Sequence, residues 1–225
     1  MIEFSRVGFD YGDRTILSDV SLSIPEGSFH FVTGPSGAGK TTFLRLCYLA
    51  LRPTSGTVTL FGRDAAGVDR DEAARLRRRI GIVFQDGQFL DHLSLADNVA
   101  LPLRIQGKPQ AQRREQVQEL LDWVGLAHRA DARPAELSAG ERQRASLARA
   151  VIGGPDFVIA DEPTGNVDRE MGRRILGLLT ALNGHGTGVL MATHDLDLIR
   201  AAKSEVAARV LRIADRSVTT AGAVL

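Results

Sequence analysis

The chain has 225 residues, a formal net charge of +1, and only 5% aromatic residues against a hydrophobic content of 44%. This length suits a single α/β domain with an inserted subdomain, and the composition predicts an aliphatic core. The near-neutral charge excludes a global attraction to nucleic acid or to an anionic membrane, so any such partner must bind a local patch.

The sequence carries no signal for membrane insertion or for disulfide bonding. Residues 1–7 alternate between apolar and polar side chains, which is typical of a strand and not of a signal peptide. No stretch approaches the roughly 18 to 20 apolar residues that a membrane helix requires. The one cysteine, Cys47, cannot form an internal disulfide. We therefore expect a soluble protein of a reducing compartment, with a buried, inert thiol.

Short apolar runs between turn residues predict strands in the first 85 residues. The predicted strands are 2–9, 20–24, 29–33, 57–61 and 80–84. An apolar helix is predicted over 43–49. This part of the chain therefore alternates strands, glycine-rich turns and one early helix.

Residues 34–42 have the spacing of a phosphate-binding loop, and they follow a predicted strand and precede a predicted helix. That order places phosphates at a helix N-terminus, where free N–H groups and the helix dipole favour negative charge. Lys40 can reach the outer phosphates, and Thr41 can offer its hydroxyl to Mg²⁺. The alternative is a merely flexible glycine turn, which would not need a strand before it and a helix after it. We predict a nucleoside triphosphate ligand for Gly34, Pro35, Ser36, Gly37, Ala38, Gly39, Lys40, Thr41 and Thr42.

The middle of the chain, residues 86–154, is predicted to be mostly helical. Val117, Leu120, Leu121 and Val124 recur at the spacing of one helix face, and Gly125 ends that run. A second helix is predicted to start after Ser138. There Ser138 is either an ordinary N-cap whose capping box Glu141 completes, or part of a second anion-binding helix terminus.

The last part of the chain returns to buried strands that end in polar residues. Residues 157–160 and 188–192 are continuous apolar runs, which is typical of parallel strands. Asp161, Glu162 and His194 follow them, at the sheet edge where ligands collect. An aspartate in this place holds Mg²⁺ and an adjacent glutamate can deprotonate the attacking water. Two solvated turn carboxylates are the alternative, and the upstream phosphate loop argues against it.

These segments, in this order and over nearly the whole chain, resemble the nucleotide-binding domain of ABC ATPases. The resemblance implies an α/β P-loop NTPase core with a mixed or parallel sheet, an N-terminal antiparallel β subdomain and an inserted helical subdomain. It divides the single domain 1–225 into a nucleotide-binding core, 1–85 and 155–225, and a helical signature subdomain, 86–154.

The resemblance also assigns further site residues. Tyr11 matches the aromatic residue that stacks on adenine, and Gln85 matches a glutamine that serves catalysis and the metal ion. Asp168 matches the D-loop aspartate, and His194 matches the switch histidine. The signature comprises Ser138, Ala139, Gly140 and Glu141, which the resemblance implies bind the nucleotide. The remaining histidines are interpreted as structural.

Ala139 departs from the family pattern, because it stands where the first signature glycine is usual. The backbone N–H donors survive this change. Alanine resists a positive φ, however, so a loop that needs one would be disfavoured. We expect activity to be retained.

The family implies a head-to-tail homodimer that sandwiches two molecules of ATP, with Mg²⁺, and a separate integral membrane subunit. Local segments such as 33–39 and 190–195 most resemble the cell-division members, whose membrane partner helps to regulate cell-wall hydrolases. ATPases of lipoprotein-releasing and macrolide-export systems are the alternative. Either interpretation implies a peripheral location on the cytoplasmic face of the bacterial inner membrane. Residues 89–103 are a hypothetical docking surface, with core packing as the alternative for their apolar side chains.

A basic cluster precedes the predicted strand 80–84. Its members are Arg75, Arg77, Arg78 and Arg79. A solvated helix face is the ordinary interpretation of such a cluster, and contact with lipid headgroups or with the membrane partner is the alternative.

Overall fold

The computed structural model of the protein describes residues 1–84, 87–165 and 167–220. Within these ranges the strands are β1 Ile2–Tyr11, β2 Arg14–Ile24, β3 Phe29–Thr33, β4 Ser55–Leu60, β5 Arg63–Asp64, β6 Ile80–Val83, β7 Phe157–Asp161, β8 Gly188–Ala192, β9 Arg209–Ala214 and β10 Ser217–Thr220. The α-helices are α1 Lys40–Cys47, α2 Arg70–Arg77, α3 Leu95–Val99, α4 Leu101–Ile105, α5 Gln110–Trp123, α6 Ala139–Val151, α7 Arg169–Gly184 and α8 Leu196–Glu205. Each of these helices is too short or too polar to cross a membrane.

The strands form two sheets. The first is antiparallel, with the order β2-β1-β4-β5, and the second has the order β10-β9-β3-β8-β7-β6. In the second sheet β9, β3, β8, β7 and β6 are parallel, and only the edge strand β10 runs against its neighbour. The predicted fold class is confirmed: an antiparallel N-terminal sheet beside a mostly parallel sheet with helices.

The predicted strands are present in the structure, but some of them begin or end at other residues. Strand β2 begins six residues before the predicted 20–24, because a tight turn pairs Tyr11 with Arg14 and extends the hairpin. Strand β4 ends before Phe61, whose φ of +50° turns the chain. Strands β9 and β10 were not predicted.

Buried strands explain why the phosphate loop sits where it does. Every residue of β3 and β8 is buried, with α1 and the antiparallel sheet packed on one face and α7 and α8 on the other. The chain leaves β3 through Gly34, where a Cβ atom would lie 2.4 Å from the carbonyl oxygen of Ile213. Only glycine fits this close approach, which sets the loop against the sheet edge. Helix α1 follows, with Cys47 fully buried, and burial raises the pKa of its thiol well above the ordinary value.

The helices between β6 and β7 form their own apolar cluster. It combines side chains of α3, α5 and α6, among them Leu95, Val99, Val117 and Leu121. The predicted stripe on α5 is therefore confirmed, and Gly125 ends the helix with a φ of +69°. Trp123, which lies off the stripe, is 45% exposed.

His30, the second residue of β3, makes folding stability depend on pH. The side chain is 2% exposed, and burial, aided by the charge of Arg209, lowers its pKa to about 4. In the unfolded chain a histidine has a pKa of about 6.5, so the unfolded state takes up the proton first as the pH falls. We expect stability to be full above about pH 6.5 and to fall by up to about 3 kcal/mol as the pH approaches 4.

Denaturant unfolding of the parent and of His30→Gln at pH 7.5, 6 and 5 measures this effect. The parent should lose more stability than the variant over that interval. Parallel pH profiles for the two proteins would show that His30 does not carry the dependence.

Candidate active site

The phosphate loop forms one wall of an open cleft of about 450 Å³ at the carboxyl edge of the parallel sheet. Lys40 folds back over the loop and donates hydrogen bonds to the carbonyl oxygens of Gly34, at 2.9 Å, and Pro35, at 3.3 Å. The cleft is lined by Tyr11, Arg14, Ile16, Ser36, Gly37, Gly39, Lys40, Thr41, Thr42, Asp161 and Glu162. The structure thus brings predicted residues from three distant parts of the sequence to one cleft.

The residues predicted to hold a metal ion meet across this cleft. The Thr41 hydroxyl donates to Oδ2 of Asp161 at 2.7 Å, although 120 positions separate them in the chain. A hydroxyl and a carboxylate are hard oxygen donors, and Mg²⁺ is commonly held by one or two such groups together with substrate phosphates. The donor set therefore fits Mg²⁺. Gln85, the third predicted metal ligand, lies outside the described residues.

Glu162 and His194 come together at the adjoining strand ends. Nδ1 of His194 lies 3.0 Å from Oε2 of Glu162, and the Glu162 N–H donates to the carbonyl of Ala192 at 3.0 Å. Glu162 has a φ of +49°, an uncommon backbone conformation for a glutamate. Together with Lys40, both side chains line a second opening of about 550 Å³. A carboxylate that is held by a histidine and faces the phosphate loop can accept a proton from water bound there.

The open side of the nucleotide cleft is formed by the hairpin of β1 and β2. Tyr11 is 47% exposed, and its ring packs edge-on against Phe9 with centroids 4.8 Å apart. This leaves a face of the Tyr11 ring available for stacking. Arg14 and Ile16 line the same cleft and were not predicted. Their positions depend on the hairpin register, which the short predicted strand 20–24 did not include.

The signature residues form a capping box. Ser138 accepts a hydrogen bond from the Glu141 N–H at 3.2 Å, and the Glu141 carboxylate accepts one from the Ser138 N–H at 2.8 Å. That backbone bond, with the Ser138 hydroxyl, lowers the pKa of Glu141. Ala139 is the first residue of α6, and neither Ala139 nor Gly140 has a positive φ. The backbone here does not need glycine.

The signature lies apart from the phosphate loop within one chain. Neither Ser138, Ala139, Gly140 nor Glu141 lines the two openings described above. Asp168 does not line them either; it is the N-cap of α7 and accepts from the Met171 N–H at 2.8 Å. A single copy therefore presents a complete phosphate loop and a separate, exposed signature.

The other histidines take no part in this arrangement. His30 is buried in β3, where its Nδ1 lies 3.1 Å from the Ser28 hydroxyl. His92, His128 and His185 are exposed on connecting segments away from the cleft. None of these four histidines lines either opening.

A phosphate loop after a buried strand, with a hydroxyl–carboxylate pair and a carboxylate–histidine pair beside it, defines a nucleoside-triphosphate-binding ATPase of the phosphate-loop class. The family model of the ABC transporter matches residues 17–165. The chain belongs to the ABC transporter family and is an ATP-binding and ATP-hydrolysing domain of that family.

Several relatives are similar to this chain. The cell division ATP-binding protein FtsE of Bacillus subtilis is 40% identical over 209 residues, which cover 92% of each chain. Methionine import ATP-binding protein MetN 2 of Burkholderia mallei is 43% identical over 92% of this chain and 53% of its own length. The macrolide export ATP-binding/permease protein MacB of Burkholderia pseudomallei is 41% identical over 90% of this chain, which spans 30% of MacB.

A solved structure shares the fold of this chain. The ATP-binding cassette MJ0796, described as a dimer in a post-hydrolysis state with ADP and Pi, superposes with a TM-score of 0.89. It is 32% identical, and the match covers 97% of this chain and 96% of that one.

Proposed function

We propose that this chain is the ATPase of a bacterial membrane complex of the cell-division type, with an FtsX-like integral membrane partner. Two copies sandwich two ATP molecules, and cycles of ATP binding and hydrolysis drive a shape change across the membrane that regulates cell-wall hydrolases. The similarity to FtsE over 92% of both chains carries the proposal. A lipoprotein-releasing or macrolide-export ATPase is the second candidate, because MacB is equally similar in sequence.

The chemistry follows from the cleft. Lys40 and the loop N–H groups hold the phosphates, and Tyr11 stacks on the base. Thr41 and Asp161 hold Mg²⁺, which neutralises phosphate charge when it is bound with ATP. Glu162 takes a proton from the attacking water, while His194 orients its carboxylate. The signature of the second copy, Ser138 to Glu141, completes the site, since within one chain it lies apart from the phosphate loop.

An apolar groove of about 590 Å³ is the proposed docking site for the membrane partner. It lies between α2 and β6 on one side and α4 and α6 on the other. Its lining includes Ile80, Ile82, Phe84, Leu101, Pro102 and Ile105, with Arg77 and Arg78 at its side. Of the hypothetical docking residues 89–103, Leu95 and Val99 are fully buried core residues. Within that range the proposed docking surface is therefore limited to Leu101 and Pro102. It extends to the neighbouring Ile105.

The occupant that fits this groove is a short cytoplasmic helix of the membrane subunit. An apolar helix face would fill the groove, and acidic side chains beside it would pair with Arg77 and Arg78. Arg79, by contrast, bonds Asp156 at 2.5 Å and stacks over the ring of Phe61 at 3.8 Å. It does not line the groove.

Capture of the partner from native membranes tests which kind of membrane protein this ATPase serves. The Glu162→Gln protein, held with Mg²⁺ and ATP, is the bait, and the co-purifying membrane protein is identified. We expect a division protein with a large extracytoplasmic loop. A lipoprotein-release or drug-export permease instead would move the function to transport.

Ile105→Glu in the same bait tests the groove. Ile105 is 59% exposed, so the change should not disturb folding. We expect at least about tenfold less captured partner, because the new carboxylate replaces apolar contact area in the groove and repels the acidic side chains proposed for the partner. Trp123→Glu is the matched control, since Trp123 is similarly exposed at 45% but lies outside the groove. Equal capture by the two variants would remove the groove from the proposal.

A further inference from the structure

Arg149, near the end of α6, contacts and holds the segment that follows Gln85 in the chain. Its guanidinium donates to the carbonyl oxygen of Gln88 at 2.8 Å and also to that of Gly87. The guanidinium carbon lies 4.7 Å from the centroid of the Phe89 ring. One half-buried side chain thus holds three consecutive residues, and no motif in the sequence pointed to it.

The segment that Arg149 holds, residues 87–89, is a strained turn. Gly87 has a φ of +72° and Gln88 a φ of +45°, so two successive residues adopt a left-handed conformation. The second of them carries a side chain, for which this conformation costs roughly 1 to 3 kcal/mol. Such a turn persists only where surrounding contacts hold it. The fork of Arg149 supplies two of these contacts through the carbonyls of the strained residues themselves.

The other end of the segment is fixed to the same helix. Residue Gly81 of β6 lies so close to α6 that a Cβ there would be 2.1 Å from the carbonyl oxygen of Ala150. The chain then runs from β6 through Gln85 to the turn that Arg149 holds. Neighbouring residues of α6, Ala150 and Arg149, therefore anchor this stretch before and after Gln85. The same helix begins at the signature residue Ser138.

We propose that Arg149 is a positioning residue for ATP hydrolysis, because it holds the turn 87–89, which follows Gln85 in the chain, against the helix that begins at the signature. The inference rests on the proposed function and on the catalytic role that the family resemblance implies for Gln85. Arg149 does not itself line the nucleotide cleft, so it acts through the backbone it holds. Loss of its fork should release the turn 87–89 while leaving the contacts of the phosphate loop with ATP intact.

Steady-state ATP hydrolysis tests the proposal with Arg149→Met, which keeps length and removes the fork. We expect kcat to fall about tenfold with KM for ATP nearly unchanged, because a misplacement of about 1 Å can cost up to 10²-fold. Arg149→Lys, which keeps the charge but cannot form the fork, should lie between. Amide hydrogen exchange of residues 87–90 should quicken in the order parent, Lys, Met.

Arg79→Met is the matched control. Arg79 likewise makes a charged hydrogen bond and stacks on a phenylalanine, but it lies at the opposite end of β6. It should keep the kcat of the parent. A similar loss of kcat in both variants would mean that the effect is general destabilisation and would overturn the inference.

Gln85→Ala and the double variant separate this inference from the proposed function. If Arg149 acts through Gln85, the double variant should be no slower than Gln85→Ala alone. If the loss of kcat in the double variant equalled the product of the two single losses, the inference would be overturned. A slow Gln85→Ala beside a fast Arg149→Met would overturn it while Gln85 keeps its role. A fast Gln85→Ala would overturn both.

Discussion

Replacement of Glu162 by Gln is expected to lower kcat for ATP hydrolysis by about 10² to 10⁴-fold, the usual contribution of a general base. Glutamine has the same shape and can keep the 3.0 Å contact with Nδ1 of His194. It cannot accept a proton from water. The phosphate-binding groups of the loop are untouched, so the Kd for ATP should stay within about twofold of the parent, a difference below 1 kcal/mol.

A slow enzyme that still binds ATP should accumulate as an ATP-held dimer. Light scattering with Mg²⁺ and ATP should show the mass of two chains for Glu162→Gln and of one chain without nucleotide. Glu170→Gln is the matched control, since Glu170 pairs with Arg174 on the exposed face of α7. Its kcat should equal that of the parent. If Glu162→Gln turned over ATP as fast as the parent, Glu162 would not be the base.

Replacement of Lys40 by Ala should abolish measurable ATP binding. The ammonium group already sits over the loop through the carbonyls of Gly34 and Pro35, which places it where the outer phosphates must lie. A hydrogen bond to a charged group contributes about 1.5 to 3 kcal/mol. Loss of two such bonds would weaken ATP binding by at least about 150-fold, or 3 kcal/mol.

Isothermal titration with ATP measures this loss, and thermal unfolding without nucleotide verifies that the variant is folded. Lys108→Ala provides the control, because Lys108 is exposed and lies outside the cleft. It removes the same charge and should bind ATP like the parent. Normal titration of Lys40→Ala would mean that the loop amides alone hold the triphosphate.

Local sequence was sufficient wherever one element determines its own structure. Continuous apolar runs predicted β7 and β8 because strands covered on both faces need apolar side chains throughout. The capping box at Ser138 could be predicted for the same reason, since its two partners are three residues apart. The chemistry at strand ends followed from the rule that ligands collect at the carboxyl edge of a parallel sheet.

Distant contacts account for what the sequence did not predict. Asn98 is fully buried and binds the chain at Leu90, Leu93 and Ser94, but its partners depend on how the loop before α3 folds. Glu162 has a left-handed backbone and donates its N–H to the carbonyl of Ala192, thirty residues away. Neither feature leaves a periodic pattern.

The buried thiol of Cys47 has a practical consequence for spectroscopy. It is the chain's one cysteine, it has no exposed surface, and burial keeps it in the unreactive protonated form. The parent protein therefore serves directly as a background for maleimide labelling. A dye attached to a cysteine placed at the exposed position 108 would report by fluorescence energy transfer whether two copies approach each other during turnover, with no native cysteine removed beforehand.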